Sequence, residues 1–423
     1  MASHLLVTND YPPKTGGIQV YLHELWKRLE PGRAVVLTAS SHENASAFDA
    51  ATDVVIERLP ARTLFFPSRR ARRAIEDAIA RHQPEVVILD PAWPLGLLGP
   101  RLSRPYGVVL HGAEVAIPAR LPLVASTLRY VLRHASFAVC AGSYPEDEAR
   151  RNAKGAMPPV LQVPPGVDTK RFVPVDEGDR GRIRVGLGLP AEGLLVSSGS
   201  RLVPRKGMDV LIKASAQLHT EFPNLHVAIG GTGRDRSRLE RLAKKKRAPV
   251  TFLGWVPDED LAPWLGASDL FVMDCRSRWW GFEQEGFGIV FVEAAASGVA
   301  QVAGRSGGSS DAVTNGVTGI VVENPRSVKA LSVAMAKLLQ NTKERSAFGE
   351  ASRANALERF EHFERCTRER VVGAKRSCEL ACRHRTHVTY AESHEYPTER
   401  RASRTRDGVD ECAPREFAQT FER

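Results

Sequence analysis

At 423 residues the chain exceeds the roughly 250–300 at which a single hydrophobic core divides, so two domains are expected. Its 43% hydrophobic and 26% charged residues exclude a disordered or membrane-embedded chain. A formal charge of +10 suits anionic partners such as sugar nucleotides, acidic lipid surfaces or nucleic acid, and nucleic acid is the least favoured, since no binding motif or basic-aromatic stacking platform is present.

The first residues, MASHLLVTND, lack the basic start and apolar length of a secretory signal, and no apolar run approaches about 18 residues. A cytoplasmic location is expected. Short β-rich runs at 4–8, 34–38, 53–59, 85–90, 106–112, 137–142 and 160–168 alternate with helical periodicity at 18–29, 69–81 and 120–133. That rhythm predicts βαβ units around a buried parallel sheet. A Pro, Gly and charge-rich pause to about residue 190 marks an interdomain boundary. The rhythm then resumes, with strands at 194–200, 225–233, 250–254, 270–274 and 298–304 and helices from Met208, at 235–246, at 258–267 and from Gly288. The fold class is therefore α/β, with two Rossmann-like domains and ligands expected at the carboxyl ends of the strands. Residues 1–168 form the first domain, 169–357 the second and 358–375 a last helix; 376–423 reads as a disordered tail by composition. Of six cysteines, Cys140, Cys275, Cys366, Cys378, Cys382 and Cys412, none forms a CxxC pair, so reduced thiols are the expectation. Cys378, Cys382, His384 and His387 are too irregularly spaced for a zinc site.

Four stretches carry chemistry. Gly16 and Gly17, between the first strand and a helix, allow either a tight turn or close backbone approach to a phosphate. His111 leaves a buried strand at its carboxyl end, a position that faces a cleft, and Glu114 follows one turn on as either a cleft or a helix-start residue. In "SRLVPRKGMDV", Arg201 and Lys206 stand before a helix N-terminus, which predicts an anion site, with Arg205 turned outward. In "RWWGFEQEGFGIVFVEAAASG" three carboxylates crowd together. A glycosidase pair needs separations of about 5–9.5 Å, whereas Glu285 and Glu293, if joined by helix, stand roughly 12 Å apart. They are better placed to hold the two ends of an elongated ligand, with glycine amides between them. Glu283 has no assigned role, and Asp258 in "DED" suits helix capping better than metal binding.

Taken in order, the "GGI" loop, "HGAE", "PPGVD", "SRLVPRKG", "FLGWV" and the E-x7-E pair resemble the GT-B glycosyltransferases of family 4 over about 1–375. "NDYPPKTGGIQ", "SRLVPRKG" and "CRSRWWGFEQEGFGIVFVEA" are most similar to actinobacterial mannosyltransferases that extend phosphatidylinositol monomannoside from GDP-mannose. The resemblance implies two domains facing across a cleft, with the C-terminal helix returning to the first. It implies that Glu285 holds donor-sugar hydroxyls, with the amides of Gly286, Phe287, Gly288 and Ile289 at the sugar and diphosphate. Glu293 would hold the ribose, Val256 and Asp258 the base, and Arg201 and Lys206 the diphosphate in place of a metal. His111 would touch the transferred sugar, and Gly16 and Gly17 would lie at the diphosphate. Retention of configuration is implied, with no metal and no cofactor beyond the sugar nucleotide. The chain departs from that group on the acceptor side, where it has "HGAE", with Ala113, in place of "HGHE" and then a different stretch, "VAIPARLP".

An apolar Phe65 and Phe66 followed by Arg69, Arg70, Arg72 and Arg73 at a helix start predicts peripheral contact with an anionic membrane surface, on its inner face; an ordinary amphipathic helix is the other reading. A glycolipid acceptor agrees with the first. A UDP-sugar donor with a soluble or polyprenyl acceptor is the alternative within the family, and a sugar-nucleotide epimerase or a non-catalytic nucleotide-binding module are alternatives outside it.

Overall fold

The structure, a computed structural model, describes residues 3–39, 42–60, 64 and 66–360. Phe65, the predicted helix after residue 360, the 376–423 tail and its cysteines and histidines lie outside the described residues.

The first sheet has seven parallel strands, β1 (His4–Thr8), β2 (Ala34–Ala39), β3 (Val55–Leu59), β4 (Val86–Asp90), β5 (Tyr106–Leu110), β6 (Ala138–Cys140) and β7 (Val160–Gln162), in the order β3-β2-β1-β4-β5-β6-β7. Helices α1 (Gly17–Trp26), α2 (Ala45–Ala50), α3 (Arg69–His82), α4 (Ala113–Ala119), α5 (Pro122–His134) and α6 (Ser143–Ala153) connect them. β2, β4 and β5 are buried along their whole length, because helices cover both faces of the sheet. That is why these strands read as unbroken apolar runs rather than as alternation.

The second sheet has six parallel strands, β8 (Leu194–Gly199), β9 (Leu225–Gly230), β10 (Val250–Gly254), β11 (Leu270–Met273), β12 (Gln301–Gly304) and β13 (Gly319–Val322), in the order β10-β9-β8-β11-β12-β13. Its helices are α7 (Glu177–Gly186), α8 (Met208–Leu218), α9 (Arg236–Lys246), α10 (Asp258–Gly266), α11 (Ile289–Ala296), α12 (Ser309–Ala312), α13 (Val328–Gln340) and α14 (Thr342–Arg359). In both sheets the strand order reverses beside the first strand, at β1/β4 and β8/β11. The crevice outside the carboxyl ends at such a reversal is where ligands bind.

Several elements are absent from the sequence reading, among them α2, α4, α6, α12 and α13, and three more have a clear physical reason. The Pro- and Gly-rich pause contains α7, whose buried Arg184 donates to the carbonyl of Ala267 and to Asp269; a charged side chain thus does the work an apolar one usually does. β13 escaped because only four residues long it comes after a turn-rich stretch. α14 escaped because its buried residues are small, Gly349, Ser352 and Ala356, rather than large and periodic. A Cβ on Gly349 would fall 2.3 Å from the carbonyl oxygen of Gly298, so glycine is what lets α14 lie against the end of α11. One apolar cluster runs from Tyr21, Leu22 and Trp26 under the first sheet through Phe172, Phe287 and Phe360 to Phe291 under the second. The two halves therefore share a packed seam at the base of the cleft.

Candidate active site

On the first sheet, the strands flanking the reversal deliver Thr8, Asp90 and His111. Asp90, 1% exposed, accepts from the Thr8 hydroxyl on one oxygen and from His111 Nε2 on the other, the latter at 2.6 Å. Burial pushes the imidazole pKa down, but the Asp90 charge and hydrogen bond outweigh it and raise His111 to about 9. His111 is thus an imidazolium at neutral pH, paired with a carboxylate, and its Nδ1 has no protein partner among the described residues. Tyr21 stacks edge-on against the ring at 6.2 Å and ties its hydroxyl to the Val163 carbonyl. Glu114 bonds back to the amides of His111 and Gly112, so it fixes the turn rather than facing the cleft.

On the second sheet, the chain leaves β8, makes a tight turn at Pro204–Lys206 and enters α8 through Gly207. Gly207 has φ 72°, and a Cβ there would sit 1.9 Å from the Asp274 carbonyl oxygen, so no other residue fits. This turn aims Lys206 inward, where Nζ meets Glu285 Oε2 at 2.6 Å with both side chains 9% exposed. Cys275 Sγ approaches the same oxygen at 3.5 Å. Burial pushes the Glu285 carboxyl up, yet Lys206, with help from Arg205 and Cys275, holds it below its ordinary value. The result is a buried, ionised pair, costly to bury and costlier to break.

One expectation needs correction here. Arg205 is not turned outward: it is half-buried and lies 3.5 Å from Glu283, which Arg278 also holds at 2.8 Å. Glu283 is thereby a structural ion-pair partner that closes the 278–283 loop. Arg201, by contrast, is exposed, with no side-chain partner among the described residues, whereas Lys206 is buried.

The two halves meet across the cleft at the predicted loops. A Cβ on Gly17 would lie 3.7 Å from Ile289 Cδ1, and one on Gly286 would lie 3.1 Å from the carbonyl oxygen of His111. Gly16, the cap of α1, has φ 154°, and a Cβ there would collide with Gln19 Oε1 at 2.3 Å. Gly288 enters α11 at φ 90°. The amides of Gly16, Gly17, Gly286, Phe287 and Gly288 have no hydrogen-bond acceptor among the described residues. Unpaired donors at two helix N-termini face each other, which is an anion-binding geometry. Phe287 itself is buried against Phe360, so it offers its backbone and not its ring. Asp311 of α12 reaches across to the Ser143 amide and hydroxyl at 2.8 and 2.6 Å.

Farther along α11, Glu293 faces Arg171 and Asp258, which pair with one another at 2.8 Å. Burial raises the Glu293 carboxyl to about 7, with Arg171 opposing and Asp258 reinforcing the shift. "DED" forms the first turn of α10, where carboxylates favour the dipole. Val256 packs toward Gly230 at the end of β9.

Two family models match the chain: Glycosyltransferase Family 4 over residues 15–171 and Glycosyl transferases group 1 over 179–355. The chain is 36% identical over 356 residues, 83% of its length and 92% of the relative's, to the GDP-mannose-dependent monoacylated alpha-(1-6)-phosphatidylinositol monomannoside mannosyltransferase of Corynebacterium glutamicum. The chain belongs to glycosyltransferase family 4. A second family 4 relative, the GDP-mannose-dependent alpha-(1-6)-phosphatidylinositol monomannoside mannosyltransferase of Mycolicibacterium smegmatis, is 36% identical over 84% of this chain and 94% of that protein. Among solved structures, sucrose-phosphate synthase from Thermosynechococcus elongatus superposes with a TM-score of 0.75 at 21% identity over 90% of this chain and 100% of that one. Anabaena HepE in complex with UDP and glucose does so with a TM-score of 0.69 at 19% identity, over 91% and 99% of the two chains. The fold is therefore the GT-B fold of family 4 glycosyltransferases, and the chain is an enzyme of that class. Sequence reasoning missed Asp90, Thr8 and Cys275 at this family 4 site. Asp90 had a signal, since "EVVILD" ends a buried strand as "VVLH" does.

Proposed function

We propose that the protein transfers mannose from GDP-mannose to a phosphatidylinositol mannoside, with retention of configuration and without a metal ion. The carrying observation is the Lys206–Glu285 pair, set behind unpaired amides at Gly286–Gly288 that face Gly16 and Gly17. Relatives named for this reaction share 36% identity over most of the chain, which supports the choice of donor and acceptor.

In this reading the donor diphosphate lies between the two glycine loops. Its charge is met by Lys206, Arg201 and the unpaired amides, where the same negative charge grows as the bond to the sugar breaks. Stabilising charge that develops in the transition state is the main catalytic term. Glu285 accepts hydrogen bonds from donor-sugar hydroxyls, and its pairing holds Lys206 in place before the donor arrives. His111 offers Nδ1–H to the transferred sugar, while Asp90 supplies the negative charge that a cationic sugar carbon favours. The leaving diphosphate takes the acceptor proton on the same face, which requires no second carboxylate. Transfer is expected to continue undiminished in excess EDTA, and loss of activity restored by a divalent ion would contradict metal independence.

Glu293 would accept the ribose hydroxyls, with Val256 and Asp258 beside the base. Its folded carboxyl keeps a proton to about pH 7, against an ordinary value of 4.5. The folded state thus binds more protons in that window, and stability falls as pH rises through it. Glu293→Gln removes this cost: at pH 8 Tm is expected to rise by about 2 °C or more, while the donor Kd rises at least about tenfold. An unchanged Kd would remove Glu293 from the ribose site.

Peripheral membrane attachment on the inner face completes the reading. Arg69, Arg70, Arg72 and Arg73 are exposed at the start of α3, with Phe66 66% exposed just before it. Cations at a helix N-terminus oppose its dipole, and an anionic surface offsets that cost. Among the described residues no helix is long and apolar enough to cross a membrane. The test of donor and acceptor is a matrix of GDP-mannose, UDP-glucose and UDP-N-acetylglucosamine against lipid and soluble acceptors, with product mass as the readout. Transfer solely from a UDP-sugar would overturn the donor assignment.

A further inference from the structure

The stretch "VAIPARLP" leads into a feature to which the donor reading assigns no residue. Between α5 and α6 lies a cavity of about 530 Å³ whose walls carry Arg120, Arg129, Arg151 and Lys154 against one carboxylate, Glu148. Glu148 is 4% exposed and is already held by Arg120 at 2.8 Å and Arg151 at 3.0 Å. Arg129 and Lys154 have no ion-pair partner among the described residues. The cavity therefore presents a surplus of positive charge on a concave wall, with donors free to meet an anion.

Its rim is apolar and exposed. Leu121 and Leu123 are 43% and 89% exposed around the first turn of α5, where they touch no core. Arg120 Nε also donates to the carbonyl of Trp280 at 3.2 Å, which brings Trp280, 91% exposed, to the same edge. Trp279 and Trp280 have φ of 48° and 53°, a region that bulky side chains avoid at a cost. The loop is closed by backbone pairing of Arg278 with Glu283 and by their 2.8 Å ion pair. Helices α3, α5 and α6 all pack into the apolar cluster on one face of the first sheet, so this rim and the arginines of α3 belong to one side of the molecule. Cation surplus in a hollow, with long apolar side chains and an indole standing beside it, matches a phosphate headgroup whose acyl chains continue past the rim.

We propose that the α5–α6 cavity holds the phosphate of an anionic phospholipid in a bilayer, with Leu123 and Trp280 entering the interface beside it. This anchoring site rests on the membrane reading above, and none of the residues lining it is among those assigned to the donor. It fixes which face of the acceptor domain meets the lipid.

The experiment is co-sedimentation of the full chain with vesicles of equal parts phosphatidylglycerol and phosphatidylcholine, or of phosphatidylcholine alone. Arg129→Gln/Lys154→Gln is expected to weaken binding to the acidic vesicles by about fivefold per removed cation. Leu123→Ser/Trp280→Ser is expected to weaken binding as well, and to reduce quenching of tryptophan fluorescence by brominated acyl chains. Both variants should keep wild-type transfer to a soluble mannoside, which shows that they fold. Unchanged acidic-vesicle binding by both, while replacing the four α3 arginines with Ser abolishes it, overturns this site and leaves the membrane reading standing. A wild-type chain that ignores acidic vesicles overturns both. Binding of inorganic phosphate that Arg129→Gln/Lys154→Gln abolishes, without any change in vesicle binding, makes the cavity a free-phosphate site and overturns the lipid assignment.

Discussion

Lys206→Ala is expected to lower transfer by at least about 10²-fold, the scale for removing one positioned electrostatic group. The substitution also leaves the Glu285 carboxylate buried without its cation, at a cost of about 3–5 kcal/mol. The two effects separate in the double variant Lys206→Ala/Glu285→Gln. There the uncompensated charge is gone, so much of the stability returns, while activity stays lost because the diphosphate still lacks its cation. Denaturant unfolding and initial rates on the same preparations make the check. Near-normal rates in the single variant would remove Lys206 from the diphosphate site. Recovery of both stability and rate in the double variant would make the pair purely structural.

The second large effect concerns His111 and Asp90. With Asp90 in place the imidazole holds its proton to about pH 9, against an ordinary 6.5. The pair's contribution to stability is therefore complete below 6.5 and is lost as pH rises through 9. Transfer should fall along the same alkaline limb. In Asp90→Asn, burial is the leading influence left on the imidazole, so it becomes neutral near pH 7. At pH 7.5 that variant and His111→Ala are each expected to lose at least about 10²-fold in rate, and the alkaline limb of Asp90→Asn should move toward acid. A limb that stays near pH 9 would show that another group sets it.

Much of this architecture was legible in the sequence because both sheets are parallel and covered on both faces. Unbroken Val, Ile and Leu runs such as "EVVILD" and "YGVVLHG" can hardly be anything but buried strands. Glycines at 16, 207 and 288 marked turns that only glycine can make, and each opens a helix at the cleft. What stayed hidden depends on tertiary partners. Nothing local distinguishes Arg205 from Arg201, and the partner that draws Arg205 inward, Glu283, is far along the chain in the loop before α11. Asp90 meets His111 only because β4 and β5 lie side by side. α14 packs through small residues, whose pattern carries no hydrophobic period, and α7 buries an arginine where the composition reads as a linker.

The most direct measurement is the product itself: purified protein, GDP-mannose and phosphatidylinositol monomannoside in the presence of EDTA, with mass spectrometry and the one-bond C–H coupling at the new anomeric carbon. The expected product has gained one hexose in the α configuration. A β product, or a gain seen solely with a UDP-sugar, would contradict this expectation.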